Sequence, residues 1–508
     1  MGAHVQSIIS IGSAGMVADI ECHLSNNLPN IVIVGFANKS VDEAKERLRA
    51  AFAASHVPLP RKRITINLAP ADIPKDGSSY DLAIAAAILI SSGEVPQHID
   101  SSSAVLGELA LDGTVRPIRG IIGKLLAGRA SGIRSFYIPR PNLEQAQLIP
   151  NINIIPIASL GELYQHLGGI KTIPVLATEA GIYTAPKQQA ADTSISIGDI
   201  VGQEQAKRAL EIAAAGGHNV FFSGPPGTGK SMLAKALPSI LPPLNQEEML
   251  EITHLHSLAG KDYEQLITQR PFRSPHHSAS HVAIIGGGHH LRPGEISLSH
   301  RGVLLFDELP EFNRITLEAL RQPLEDRTIS VARAKESVDY PANFILVATA
   351  NPCPCGYYGT STACRCLPHQ IQRYQQKISG PILDRIDLYT DVNEVEHKKL
   401  LTHSSSEEAL ASTRARINKA RAIQQKRFGT SGKLNSDMTN GDIKTKANLQ
   451  PVAKAILDTA SQRLNLSARS YMRTLKVART IADLEESATI EIPHITEALQ
   501  YRAHNYNA

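Results

Sequence analysis

Apolar and polar positions alternate with two different periods along residues 1–183. Short runs rich in β-branched side chains predict strands, whereas longer Ala-rich or amphipathic runs predict helices. The predicted strands are Asn30–Gly35, Arg63–Leu68, Ser103–Leu109, Ser135–Ile138 and Asn153–Ile157, and examples of the predicted helices are Lys39–Ala54, Tyr80–Ser91 and Arg119–Ser131. Because strands and helices alternate, we expect an α/β or α+β domain here.

The rest of the chain changes character twice. Residues 184–197 are polar and lack periodicity, which predicts a linker. Residues 198–394 again alternate strands with helices and predict an α/β core. From residue 395 onward the apolar positions take helical spacing, so we expect a helical lid over residues 395–508. Its predicted helices are Ala409–Arg427, Asn448–Leu464, Ala468–Glu485 and His494–Ala503.

Length and composition narrow the class of protein. A chain of 508 residues suits two or three domains. Its 42% hydrophobic and 20% charged content excludes wholesale disorder, a collagen-like repeat and a coiled-coil rod. Neither a membrane-spanning run nor a signal peptide is visible, and five cysteines do not suit a secreted disulfide framework. We therefore expect a cytoplasmic protein with no membrane partner.

The net charge of +4 becomes informative where the charges cluster. Residues 397–440 contain nine Lys or Arg against three Asp or Glu. A basic segment of this kind is able to follow the phosphates of DNA or RNA. A solvated helix face is the alternative interpretation, and the sequence leaves both open.

A phosphate-binding loop is the strongest chemical signal. The apolar strand Val220–Ser223 precedes it and a helix-forming segment follows it. The loop consists of Gly224, Pro225, Pro226, Gly227, Thr228, Gly229, Lys230 and Ser231. Its glycines allow backbone N–H groups to surround the phosphates of ATP at a helix N-terminus. We expect Lys230 to reach the β- and γ-phosphates and the Ser231 hydroxyl to bind Mg²⁺.

Two further strands end in polar residues that suit the same site. Asp307 and Glu308 follow the apolar run of residues 302–306, and Asn351 follows a strand at Phe344–Ala348. Ligands bind at the carboxyl ends of strands in open α/β sheets. We expect Asp307 to hold the Mg²⁺ water shell and Glu308 to polarise the attacking water. Asn351 would sense the γ-phosphate.

Several long motifs together resemble one family. They are VGQEQAKRALEIAAAGGHN, GPPGTGKS, FRSPHHSAS, GGGHHLRPGEISLSHRGVLLFDELPEF, SVARAKESVDYPANFILVATANPCPCG, GPILDRIDLY and SARSYMRTLKVARTIADL. The chain thus resembles the ComM (YifB) family of magnesium-chelatase-like AAA+ ATPases almost from end to end. The resemblance implies a homo-hexameric, ATP-dependent helicase that drives branch migration of DNA in natural transformation and homologous recombination. It also implies single-stranded and branched DNA, and recombination proteins, as partners.

Further site residues follow from this resemblance alone. Asn351 resembles sensor 1, Arg385 resembles the arginine finger, and Arg469 resembles sensor 2, with Arg473 as the competing choice. Two insertions would face the central channel of the ring and contact DNA. The first is residues 270–280 and the second is a hairpin over residues 327–340, for which an ordinary exposed hairpin is the alternative. Their candidate DNA-binding residues are Arg270, Arg273, His276, His277, Arg333 and Lys335.

Four closely spaced cysteines predict a small metal site. Cys353 and Cys355 form one C-x-C pair, and Cys364 and Cys366 form another. Four thiols this close suit a tetrahedral structural zinc ion, although C-x-C is tighter than the usual spacing. Free thiols or a redox pair are the alternatives. A second metal site at His276, His277 and His281 is less favoured than a role for these histidines in a loop or channel.

The N-terminal domain resembles the Lon-protease-like, ribosomal-S5-type fold. In those proteases a serine and a lysine form a nucleophile–base pair, and Ser79 and Lys124 occupy the matching positions. Tyr80 and Asp81 depart from the small residues that follow the protease serine. We therefore favour a DNA-contacting or ring-stabilising domain over a Ser-Lys peptidase. A chelatase-type or protein-remodelling motor is the alternative for the whole chain.

Overall fold

The structure is a computed structural model of the whole chain. It describes residues 3–11, 14–35, 43–70, 78–96, 99–179, 195–259, 266–288, 291–333, 336–360, 362–395, 407–430 and 432–502. Most of the predicted linker, residues 184–194, and Lys335 of the predicted hairpin lie outside these ranges.

The first part of the chain contains ten strands and five helices among the described residues. The strands are β1 (Ala3–Ile11), β2 (Ala14–Ser25), β3 (Asn30–Val34), β4 (Arg63–Ala69), β5 (Ser103–Val105), β6 (Glu108–Leu109), β7 (Val115–Arg116), β8 (Ser135–Pro139), β9 (Asn153–Ile157) and β10 (Leu176–Ala177). The helices are α1 (Ala44–Ala54), α2 (Asp81–Ser92), α3 (Ile121–Ala130), α4 (Leu143–Ala146) and α5 (Leu160–Leu167).

The second part begins with the helix before the phosphate loop. Its strands are β11 (Val220–Ser223), β12 (Phe272–Arg273), β13 (Gly286–Gly287), β14 (Arg292–Pro293), β15 (Val303–Phe306), β16 (Thr328–Arg333), β17 (Glu336–Pro341), β18 (Ile345–Ala350) and β19 (Leu388–Asp391). Its helices are α6 (Glu204–Gly216), α7 (Lys230–Ala236), α8 (Gln246–Ala259), α9 (His281–Ile285), α10 (Glu295–Leu298), α11 (Arg314–Ala319), α12 (Arg321–Asp326), α13 (Pro368–Gln375), α14 (Gly380–Leu383), α15 (Glu407–Phe428), α16 (Asn440–Lys446), α17 (Pro451–Arg463), α18 (Ala468–Leu484) and α19 (Ile492–Gln500).

One compact unit consists of Met1–Gln188 together with Asn245–Thr268. Its sheet has the strand order β10-β9-β8-β5-β1-β2-β4-β3, with β1, β2 and β4 antiparallel. Helix α2 packs on β1 and β2, and its residues from Asp81 to Leu89 are all buried. A helix that is apolar on all sides needs such complete burial. It therefore forms the centre of this unit's core.

The other unit consists of Gln189–Leu244 and Gln269–Ala508 and contains a five-stranded parallel sheet. The strand order is β12-β15-β18-β11-β19. The three central strands β15, β18 and β11 are short, mostly apolar and buried along their whole length, as parallel strands covered on both faces require. The C-terminal helices α15 and α18 pack against α6 of this unit. The α/β fold class with a C-terminal helical region is thereby confirmed.

Most predicted elements are present, with shifted ends. Helices α17 and α19 begin at Pro451 and Ile492 rather than at the predicted Asn448 and His494. Pro451 and Pro493 lie in their first turns, where the missing N–H of proline costs no hydrogen bond. The long β1–β2 hairpin was not predicted. Helix α8 packs against α3, which groups Asn245–Thr268 with the first unit although the sequence assigned it to the core. The remaining domain boundaries stay predictions.

Candidate nucleotide-binding site

The phosphate loop joins the carboxyl end of β11 to the first residue of α7. Gly224 lies so close to the segment that follows β19 that a Cβ atom there would be 2.2 Å from the carbonyl oxygen of Val392. Gly229 has φ +89°, a left-handed conformation that side chains disfavour, and it directly precedes the helix. These two glycines explain why the loop can turn tightly and aim its N–H groups inward.

Lys230 extends from the start of α7 back across the loop. Its Nζ atom donates to the carbonyl oxygens of Gly224 and Pro225, both at 2.7 Å, and to Oδ1 of Asn351 at 3.2 Å. Burial lowers the pKa of Lys230, while the carboxylates of Asp307 and Glu308 oppose this shift. The structure therefore brings the predicted lysine and the predicted sensor amide into direct contact.

Asp307 is held by two hydroxyl groups. The Ser231 hydroxyl lies 3.0 and 2.9 Å from the two carboxylate oxygens, and the Thr349 hydroxyl donates to Oδ1 at 2.6 Å. Mg²⁺ prefers hydroxyl, carboxylate and water oxygens, so this donor set fits the Mg²⁺ ion that the phosphate loop predicts. Thr349 was not predicted from the sequence. The only signal was its position two residues before Asn351 at the end of an apolar strand.

Glu308 differs from Asp307 in its surroundings. Its backbone has φ +54°, and its N–H donates to the Thr349 hydroxyl at 3.0 Å. The side chain is exposed to a cavity of about 490 Å³ that Asn351 and Tyr374 also line. Burial raises the pKa of Tyr374, and the carboxylates of Glu311 and Glu308 add to that rise. A carboxylate in this position is able to accept a proton from water in the cavity.

The two predicted arginines meet at one carboxylate. Nη2 of Arg385 lies 2.5 Å from Oε1 of Glu325, and Arg469 contacts the same oxygen. Arg473 instead donates to the carbonyl oxygens of Leu383, Asp384 and Ile386. Of the two candidates for sensor 2, Arg469 therefore has the more accessible guanidinium. Within the described residues, no hydrogen bond or ion pair joins Arg385 or Arg469 to the phosphate loop.

The four cysteines converge. All four sulfur atoms lie within 4.8 Å of one another, and the Sγ atoms of Cys353, Cys355 and Cys364 are separated by 3.4 to 3.7 Å. A disulfide requires about 2.05 Å. A tetrahedral zinc ion with bonds of about 2.3 Å separates its sulfur ligands by about 3.8 Å. The arrangement with Cys366 thus has the geometry of a four-cysteine metal site.

The candidate DNA-binding residues fall into two groups. Arg270 donates to the carbonyl oxygens of Pro242 and Arg301, and Arg273 forms a bidentate ion pair with Glu295 at 2.5 and 2.6 Å. These contacts favour a role in holding the loop.

The second group consists of histidines and the hairpin. His276 and His277 are exposed, and their ring centroids lie 4.1 Å apart. The predicted hairpin is formed by β16 and β17, whose register pairs Arg333 with Glu336. DNA contact stays a prediction for both groups.

Ser79 and Lys124 lie side by side in the first unit. The Lys124 Nζ atom donates to the Ser79 hydroxyl at 3.4 Å and to the carbonyl oxygen of Ile8 at 3.1 Å. Both side chains are buried, and burial lowers the pKa of Lys124 to about 8. A lysine that loses its proton near neutral pH is able to act as a base toward a neighbouring hydroxyl.

Comparison with known proteins identifies the family. Residues 196–400 match the family described as "Magnesium chelatase, subunit ChlI", residues 20–142 match "Subunit ChlI of Mg-chelatase", and residues 407–502 match "Magnesium chelatase, subunit ChlI C-terminal". "Competence protein ComM" of Haemophilus influenzae is 43% identical over 502 residues, which cover 99% of this chain and 97% of that protein. The chain belongs to the ComM/YifB family.

Two other relatives complete the comparison. "Uncharacterized protein YifB" of Salmonella typhimurium is 41% identical to this ComM/YifB member over 503 residues, covering 99% of the chain and 97% of the relative. "Lon protease" of Rhizobium meliloti is 36% identical over 126 residues, covering 24% of the chain and 15% of the relative. The predicted resemblance to the magnesium-chelatase-like AAA+ proteins is confirmed. Within the described residues, no helix has the length and apolar character to cross a membrane.

We predict that Thr349→Val impairs the Mg²⁺-dependent step. The valine keeps the shape of the strand but removes the donor to Asp307 and the acceptor for Glu308. Loss of such an orienting partner typically costs about ten-fold or more in metal affinity or activity. ATP hydrolysis titrated with Mg²⁺ should therefore require more Mg²⁺ and reach a lower maximum.

Thr390→Val is the matched control for this experiment. Thr390 lies in β19 of the same sheet, is also buried, and its hydroxyl has no hydrogen-bond partner among the described residues. Equal Mg²⁺ titration curves for Thr349→Val and wild type would contradict the assigned role of Thr349.

Proposed function

We propose that this protein is a ring-forming, ATP-dependent DNA translocase that promotes branch migration when transforming DNA is integrated by homologous recombination. The end-to-end similarity to Competence protein ComM, combined with a complete set of nucleotide-site residues, carries the proposal. Membership of the AAA+ family implies ATP and Mg²⁺ as cofactors. Family membership alone does not establish that the substrate is DNA or that the subunits form a ring, and these two statements are what we propose.

The described contacts support a different role for each site residue in ATP hydrolysis. Bound Mg²⁺ would neutralise charge on the phosphates. Ser231 and Asp307 would hold it, since their oxygens already face each other at hydrogen-bond distance. Lys230 binds the β- and γ-phosphates, Glu308 takes a proton from the attacking water, and Asn351 orients the γ-phosphate.

Arg385 and Arg469 supply the argument for assembly. They lie together on Glu325 and line a cavity of about 1000 Å³ that none of residues 224–231 lines. In this proposal both guanidiniums reach the nucleotide of a neighbouring subunit in a homo-hexamer. Hydrolysis then requires subunit contact, because a cation from outside the site offsets charge in the transition state.

We predict that branched DNA stimulates ATP hydrolysis. The measurement is the steady-state rate at one fixed salt concentration, without DNA and with single-stranded, duplex and four-way-junction DNA. The rate should rise most with the junction. Glu308→Gln should abolish hydrolysis yet retain ATP binding, because the amide cannot accept the proton, whereas Lys230→Ala should weaken binding itself. Rates that do not respond to any DNA would instead favour a chelatase-type or protein-remodelling motor.

We also propose that Cys353, Cys355, Cys364 and Cys366 bind one structural zinc ion, on the basis of their sulfur geometry. We predict about one zinc per chain by elemental analysis, and a lower melting temperature after chelation. Cys355→Ser should reduce the zinc content, because one thiolate ligand is lost.

Cys22→Ser is the control for the zinc measurement. This fifth cysteine is buried in β2 of the other unit, and its replacement should leave the zinc content unchanged. Purified wild-type protein with less than about a third of an equivalent of zinc would rule out the site.

Peptide-bond hydrolysis is a second candidate function. Two observations favour it: Lys124 contacts Ser79, and one relative of the chain is named Lon protease. For a Ser-Lys peptidase we predict that a fluorophosphonate probe labels Ser79. Labelling should increase as the pH rises through about 8, because only the unprotonated Lys124 amine accepts the hydroxyl proton.

Ser79→Ala and Lys124→Met should each abolish this labelling without changing ATP hydrolysis. Ser78→Ala is the matched control, because the Ser78 hydroxyl contacts Glu108 rather than Lys124. Labelling that persists in Ser79→Ala, or no labelling of wild type at any pH, would exclude the peptidase function.

A further inference from the structure

Glu325 is the one side chain in the described structure that contacts both Arg385 and Arg469, the two arginines that the proposed function places across the subunit interface. It lies in the last turn of α12, whereas Arg385 follows α14 and Arg469 is the second residue of α18. Nη2 of Arg385 lies 2.5 Å from Oε1 of Glu325, and Nη2 of Arg469 contacts the same atom. A single carboxylate oxygen therefore joins guanidiniums from two distant parts of the chain.

The Glu325 carboxylate lies where another anion is able to replace it. The Glu325 and Arg469 side chains are 44% and 48% exposed, and both line the cavity of about 1000 Å³. The ion pair between Glu325 and Arg469 is exposed enough to contribute little, so another anion is able to displace the carboxylate from Arg469. The Arg385 side chain is less accessible, at 11% exposed. The buried Nε atom of Arg385 has no hydrogen-bond partner in the described part of the chain. One guanidinium thus keeps a donor that Glu325 does not satisfy.

The charges indicate what replaces Glu325. Two guanidiniums and one carboxylate leave one positive charge uncompensated, and planar guanidinium forks suit phosphate oxygens. A terminal phosphate offers three oxygens and more charge than a carboxylate. The ligand that this pair of arginines would exchange for Glu325 is therefore a nucleotide phosphate.

We propose that Glu325 is an internal competitor for the nucleotide phosphate of a neighbouring subunit. While Arg385 and Arg469 pair with Glu325, they are not available across the interface. The apparent affinity of one subunit for the next is then the intrinsic affinity multiplied by the fraction of time that the arginines are free of Glu325. The shorter that time is, the weaker the apparent affinity. This inference rests on the proposed function, because it assumes that both arginines act on a neighbour.

Glu325→Gln tests the competition. Glutamine keeps the size and an acceptor oxygen but removes the negative charge. ATP hydrolysis by the full chain is measured at saturating ATP and Mg²⁺ over a range of subunit concentrations. We expect the concentration that gives half-maximal turnover per subunit to fall about three-fold or more, with the maximal rate retained.

Asp326→Asn is the matched control. Asp326 is the next residue of the same helix, is exposed, and undergoes the same change from carboxylate to amide, so its variant should behave as wild type. Glu325→Ala, which also removes the acceptor, should shift the half-maximal concentration in the same direction as Glu325→Gln. The double variant Glu325→Gln with Arg385→Ala should be as slow as Arg385→Ala alone, since the effect passes through that arginine.

Two outcomes would overturn the inference. An unchanged or higher half-maximal concentration in Glu325→Gln would show that the carboxylate does not compete. A lower maximal rate at an unchanged melting temperature would show that Glu325 positions the arginines instead. Failure of the proposed function looks different, because wild-type turnover per subunit would then be independent of concentration, or Lys230→Ala would hydrolyse ATP normally.

Discussion

The parallel pairing of β11, β15 and β18 is the constraint on which the candidate nucleotide site depends. Its register sets Phe306 beside Ala348 and Ser223 beside Ala350, so three strands end at the same edge. Lys230 and Asn351 are 121 positions apart in the chain, and Ser231 and Asp307 are 76 apart, yet both pairs are in contact. A shift of one residue in this register would turn the side chains of the shifted strand to the opposite face of the sheet and separate these pairs.

The loop after Asn351 connects the cysteine cluster to this edge. Cys353 follows Asn351 by two residues and is buried. Gly356 packs so closely on the phosphate loop that a Cβ atom would lie 2.6 Å from Cδ of Pro226. The Gln375 side chain in α13 donates to the carbonyl oxygen of Pro352 at 3.2 Å. A metal held by the four cysteines would therefore stiffen the segment that supports both Asn351 and the phosphate loop.

Buried polar contacts fix the arginine-bearing helix α18 to the same sheet. His218, just before β11, accepts or donates a hydrogen bond with Thr480 at 2.8 Å and lies 3.3 Å from Asp387. Within α18, Arg479 and Asp483 are fully buried and paired at 3.0 Å. A buried ion pair of this kind is costly to break, because the remaining charge stays desolvated. Movements that reposition Arg469 therefore involve the helix and the sheet together.

The sequence by itself determined the α/β class, most helices and strands, and which residues are candidates for the nucleotide site. Local signals suffice there: the spacing in Gly224–Ser231 and the apolar runs that end in Asp307 and Asn351 need no knowledge of distant contacts. The tertiary structure decided what no local pattern encodes. In the folded chain Thr349 contacts Asp307 and Glu308. Arg473 donates to backbone carbonyl oxygens, and Glu325 lies between two arginines. The physical reason is that strand pairing and helix packing bring together side chains that are far apart in the chain. The sequence shows that a residue carries a hydroxyl or a carboxylate, but it does not show which partner that group contacts.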